Sequence, residues 1–224
     1  MKFDLQLHSH FSRDAVNDPK NIVKFFAKKG MGFAVTDHNT ADAWPAIEKY
    51  ARHYKVERVF GEEIKVFDAG KYMGELIGLF LTEPVKPGQY HEVLDELLEQ
   101  DAVISVSHPF DVFRAPAIIK PMFKDRERAD YILKRIHAIE GHNSRMCLQA
   151  FNKKAVLFAQ ERGLAVTGGS DAHFPQELGN GFTIIEGSTA EELREAIKKG
   201  KTSCGGRLSS PLVHLLTHFA KRTK

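Results

Sequence analysis

The sequence predicts an α/β fold with mostly parallel strands, wrapped into a small or irregular barrel. Three observations carry that expectation. Short apolar runs rich in β-branched or aromatic residues alternate with segments of helical period, the pattern of successive β-then-α units. About seven such units fit into 224 residues, 42% of them apolar, without a linker or internal repeat. The apolar runs also end on polar groups capable of holding metals, as a barrel's catalytic rim does.

In chain order, strands are predicted over 3–7, 32–36, 58–61, 76–81, 103–107, 138–140, 165–168 and 183–185. The first helix, over 18–30, has Asp18 as its cap, Pro19 in its first turn and Gly30 as its stop. Further helices are predicted over 42–54, 90–100, 128–135, 148–162 and 188–200, the last with a capping box from Ser188 to Glu191 or from Thr189 to Glu192. Asp68, Ala69 and Gly70 supply the turn chemistry of a hairpin, so the third and fourth strands are expected to pair antiparallel. The proline-bearing stretch 109–127 has no clear period and is expected to be a binding loop or lid. One domain over 1–200 is expected, followed over 201–224 by a basic, helical extension packed on or near the barrel.

Composition excludes several classes. The net charge of +3 is too small to announce a nucleic-acid binder. No apolar stretch approaches the ~20 residues of a membrane helix, and the first residues lack the apolar core of a secretory signal, so a cytoplasmic protein is expected. Cys147 and Cys204 have neither the number nor the spacing for a disulfide framework or zinc knuckle and are expected to be reduced.

The strand ends carry the chemistry. The first ends at His8 and His10, the second at Asp37 and His38, the third at Glu62 and Glu63. The later ones end at His108, at His142 and Asn143, and at Asp171 and His173. Parallel strands deliver all of these to one rim, and alternation puts His8 with His10, and Asp171 with His173, on shared faces. Any one such residue is more often a cap or a turn former than a ligand. So many in one cleft call for two or three ions, and mixed imidazole and carboxylate suit zinc, manganese or iron. The remaining histidines, including His214 and His218, read as surface or structural residues.

In order along the chain, "HSH", "TDHN", "GEE", "SHP" and "GSDAH" resemble the motifs of the polymerase and histidinol phosphatase (PHP) family, in its free-standing form. The resemblance spans residues 8 to 173 and implies a metal-dependent phosphoesterase on a distorted, TIM-like (β/α)7 barrel with a trinuclear site. It implies one ion on His8, His10, Glu63 and Asp171, a second on Glu63 and His108, and a third on Asp14, His38 and His173. The family pattern favours Glu63 over Glu62, and strand alternation allows only one of the two to face the site. Asp14 and Glu75 stand where many members have histidine, which tilts the site toward harder ions such as manganese or iron.

The expected substrate is a phosphate ester attacked by a metal-bound hydroxide: a nucleotide, an oligonucleotide end or another phosphorylated small molecule. No membrane and no obligate protein partner is expected. Arg114 and Arg145 are candidate phosphate clamps. His142 is left open as a ligand, a proton donor or a substrate contact, so the catalytic candidates are His173, His142 and Asp171. Competing readings are a histidinol-phosphatase-like or other small-metabolite phosphatase, a metal-dependent amidohydrolase, and a noncatalytic metal-binding module associated with nucleic acid.

Overall fold

The structure is a computed structural model that describes residues 1–111 and 118–223. Its centre is one sheet in the order β10-β9-β1-β2-β3-β4-β6-β7-β8. The strands are β1 Lys2–Asp4, β2 Gly32–His38, β3 Arg58–Asp68, β4 Lys71–Leu79, β5 Gly88–Gln89, β6 Val103–Val106, β7 Ala138–Asn143, β8 Ala165–Gly169, β9 Gly181–Ile184 and β10 Ser203–Gly206. Strands β1, β2 and β3 pair in parallel, as do β6, β7 and β8, while β4 runs antiparallel between β3 and β6. Six strands therefore point their carboxyl ends at the same rim, and β4 begins there.

The sheet nearly closes on itself. Beyond Asp4 the chain stays extended and meets the end of β8: the Asp171 N–H donates to the Gln6 carbonyl at 2.7 Å and the His8 N–H to that of Ala172 at 3.0 Å. Leu7 and Ala172 form a parallel bridge. Close approach here requires glycine, since a Cβ on Gly169 would lie 2.6 Å from the Gln6 backbone nitrogen.

Helices α1 Pro19–Lys29, α2 Trp44–Tyr54, α3 Tyr90–Glu99, α4 Ile119–Met122, α5 Arg126–Leu133, α6 Gln149–Gln160, α7 Ala190–Lys198 and α8 Leu212–Thr223 surround it. Local chemistry sets their ends. Asp18 accepts the Asn21 N–H, and Gly30 at φ 61° stops α1. Thr189 and Glu192 cap α7 reciprocally, which selects the second of the two predicted boxes. Strand residues from round the sheet, among them Phe3, Ala34, Val59, Ile77, Val103 and Ala165, form one apolar cluster closed by Leu193 and Ile197 of α7. Outside the sheet, Ile22, Phe26 and Ile47 pack on Leu7, Phe33 and Val35.

Three expectations change. The third strand runs on to Asp68 instead of stopping at Gly61, because the predicted hairpin turn lies beyond the rim and β3 and β4 pair up to it. The stretch 109–127 contains α4 and the start of α5, with 112–117 outside the described residues. Residues 203–206, which carry no strand signal because they are serine, cysteine and two glycines, pair with β9. Among the described residues, no helix is long and apolar enough to cross a membrane.

Candidate metal centre

At the rim, Glu63 lies among three imidazoles. Its carboxylate stands 3.4 Å from His8 Nε2, 3.2 Å from His38 Nδ1 and 3.0 Å from His108 Nε2. Asp171 approaches His8 Nε2 at 3.3 Å and His173 Nδ1 at 3.6 Å. Asp14 approaches His173 Nε2 at 3.5 Å and His38 Nε2 at 3.7 Å. Glu75, at the rim because β4 runs backwards, lies 3.5 Å from His108 Nε2 and 3.9 Å from His38 Nδ1. Donor atoms of His8, His38 and His173 fall within 4.8 Å of one another, and so do those of His38, Glu63 and Glu75.

A supporting layer fixes these side chains. Glu63 accepts from Gln6 Nε2 at 2.8 Å and from the Ser107 hydroxyl. Asn143 Nδ2 donates to Gln6 Oε1 at 3.1 Å, Glu140 Oε2 at 3.1 Å and Asp171 Oδ2 at 3.2 Å. Asp37 is buried and accepts from the Ser9 N–H and from the Ser9 and Ser12 hydroxyls, stapling the turn after β1 to the end of β2. The His108 N–H, at a φ of 26°, donates to Glu140 Oε2 at 2.7 Å. Conserving orientation in this way is what groups behind a ligand do for a metal.

The charges fit cations. Burial works against charge on Glu63, but the hydrogen bond from His108 and the neighbouring imidazoles outweigh it and hold the carboxyl down to about 2. Burial likewise opposes charge on His8, yet Asp171 and Glu63 pull its pKa up to about 9. His173, buried and beside His8, is lowered to about 4. His8 Nε2 and His38 Nδ1 are buried atoms without a hydrogen-bond partner, although carboxylate oxygens stand 3.2–3.4 Å away. A shared cation satisfies both sides, and nitrogen with carboxylate oxygen is the donor set of a divalent transition metal.

Residues 149–202 match the family model described as PHP-associated. An uncharacterized Methanocaldococcus jannaschii protein, MJ0417, is 36% identical over 183 residues, 81% of this chain and 69% of its own. The chain belongs to the PHP family. Among solved structures, a two-domain Bacteroides vulgatus protein containing a predicted PHP-like metal-dependent phosphoesterase matches with a TM-score of 0.74 at 17% identity, over 98% of this chain and 69% of that one. A Chromobacterium violaceum amidohydrolase with bound sulfate and no metal matches with a TM-score of 0.67 at 14% identity, over 87% and 96%.

Within this PHP chain the structure gathers His8, Asp14, His38, Glu63, Glu75, His108, Asp171 and His173. It does not gather all the candidates. The shared face expected for His8 and His10 is replaced by a turn: the chain leaves strand geometry after His8, and His10 is exposed with its ring 4.6 Å from that of Phe11. His142 is turned away from the cleft. A bulge between Glu140 and His142 breaks the alternation of β7, so Glu140 and Asn143 both face the centre while His142 lines a separate hollow with Cys204 and Gly206. Arg145 touches the cleft; its Nε faces Glu177 at 3.0 Å and its Nη2 is held by α8, which leaves Nη1 outside those contacts. Arg114 lies outside the described residues. Glu62, on the opposite face of β3 from Glu63, accepts the Val85 N–H at 2.7 Å.

Sequence reasoning passed over Gln6, Ser107 and Glu140. Gln6 stands two residues before His8, and the same alternation that singled out His8 points to it.

Proposed function

We propose that the chain hydrolyses phosphate monoesters or diesters, of nucleotides or oligonucleotide ends, with two or three divalent ions of manganese, iron or zinc. The observation that carries this reading is the convergence of four imidazoles and four carboxylates on one cleft of about 1070 Å³. His8, Glu63 and Asp171 would hold one ion, Glu63, Glu75 and His108 a second, and Asp14, His38 and His173 a third. Such ions supply a water ionised near neutral pH and positive charge for the phosphoryl oxygens.

The chain's own groups do the rest. Glu63 is held below the usual carboxylate range by its neighbouring imidazoles and lies within reach of three of them, so it would serve two of the ligand sets at once. His173 gives its Nδ1 to the Asp171 carbonyl at 2.8 Å, which leaves Nε2 aimed at Asp14. Around the mouth, Arg13 and Lys65 supply cations for phosphate, and Phe11, Phe67 and Tyr72 supply flat faces suited to stacking a base. The cleft is far larger than a phosphate needs and matches a nucleotide-sized ligand. The Chromobacterium neighbour carries a bound sulfate, a tetrahedral anion of the same shape as the phosphoryl group in this reading. Substrate is the one partner this reading requires, and the free thiols Cys147 and Cys204 suit a cytoplasmic setting.

A panel of p-nitrophenyl phosphate, nucleotides and single-stranded oligonucleotides, assayed with Mn²⁺, tests it. Turnover that EDTA abolishes and Mn²⁺ restores is expected. A metal-loaded chain that cleaves none of them contradicts it.

A further inference from the structure

Helix α8 lies against the cleft, which His214 and Thr217 help to line. It is fastened from beneath by Arg145. Arg145 is 3% exposed, and its Nη2 donates to the Val213 carbonyl at 3.1 Å and to the Thr217 hydroxyl. Its Nε faces Glu177 Oε1 at 3.0 Å, and Glu177 is itself 1% exposed. The other oxygen of Glu177 accepts the N–H groups of His173 and Phe174, each at 3.1 Å.

An unbroken line of buried polar contacts therefore runs from α8 through Arg145 and Glu177 to the backbone of His173. A surface ion pair would transmit little. A buried pair is different, because removing either end strands a charge in the interior. The ring of His173 is pinned separately through Nδ1 to the Asp171 carbonyl, so fixing its backbone also fixes where Nε2 points.

We propose that Glu177 and Arg145 are positioning residues that couple the docking of α8 on the cleft to the placement of His173. Metal binding at His173 then tightens α8, and release of α8 weakens metal binding, since such coupling is reciprocal. The proposal rests on reading His173 as a metal ligand; it does not depend on hydrolysis.

The test is amide hydrogen exchange of the full chain with and without Mn²⁺, together with Mn²⁺ titration by calorimetry. In the parent, Mn²⁺ is expected to slow exchange across 213–217. Glu177→Gln is expected to speed exchange there, to abolish the Mn²⁺ effect on it, and to weaken Mn²⁺ binding about 10-fold, as loss of a group behind a ligand does. Thr217→Val keeps the shape and cuts the far end of the line, so the same changes are expected at smaller size, even if Glu177→Gln does not fold. The coupling is overturned if Mn²⁺ leaves α8 exchange in the parent unchanged, or if α8 loosens in either variant while Mn²⁺ affinity holds. A chain that shows the coupling and cleaves no ester refutes the hydrolase reading alone.

Discussion

The stretches of β3 and β7 that reach the rim pose the same problem and solve it differently. Each offers two polar residues in succession, Glu62 and Glu63 in one, His142 and Asn143 in the other. In β3 the pairing with β2 is regular through both residues, so Glu63 faces the cleft and Glu62 the surrounding shell. In β7 a bulge shifts the register by one residue just before the pair, and the second residue, Asn143, takes the inner place. Alternation is a safe guide to which side chain meets a site until the strand gains a residue.

Breaking the β3 half should have the largest effect. Glu63→Gln is expected to lower Mn²⁺-dependent turnover by at least about 100-fold, beyond the usual loss when a merely orienting group is removed. Glu62→Gln is expected to cost far less, and steady-state rates of the two variants with p-nitrophenyl phosphate compare them directly. In the β7 half, Asn143→Ala is expected to weaken Mn²⁺ binding by about 10-fold, because it frees Gln6, Glu140 and Asp171 together. His142→Ala is expected to leave the affinity unchanged, which calorimetric titration of both chains would show.

That contrast also marks what the sequence could reveal. The caps of α1 and α7, the hairpin turn and the parallel strands were legible because each depends on residues close together in the chain. The arrival of Glu63, His108 and Asp171 at one rim was legible because parallel strands deliver such residues to the same side. The bulge in β7 was not, since nothing in "AIEGHN" distinguishes a regular strand from one with an added residue except Gly141, whose Cβ would lie 2.9 Å from Val156. His10 was misplaced for a similar reason: alternation was carried past the point where the strand turns. The anchoring of Arg145 was not legible, because its partners, Glu177 and α8, are remote in sequence and only folding brings them to it.

A smaller effect tests the seam where the two halves meet. Gly169 pairs with Asn143 and presses on Gln6, so Gly169→Ala is expected to destabilise the chain by about 1–3 kcal/mol in denaturant unfolding, the usual cost of overpacking. A further prediction concerns pH. Burial pushes the Asp4 carboxyl up from 3.8 to about 7, despite the N–H donors of Ser170 and Gly179. The folded chain thus keeps a proton that the unfolded chain has released, and stability falls as pH rises between those values and levels off above. Asp4→Asn is expected to flatten that decline in thermal melts taken across the range.

The central claim is that these strand ends form one polynuclear metal centre, and counting bound metal tests it most directly. After loading with Mn²⁺ and gel filtration, elemental analysis is expected to find two or three ions per parent chain and fewer in Glu63→Gln. A parent chain that retains none, or a Glu63→Gln chain that retains as many as the parent, would contradict the account.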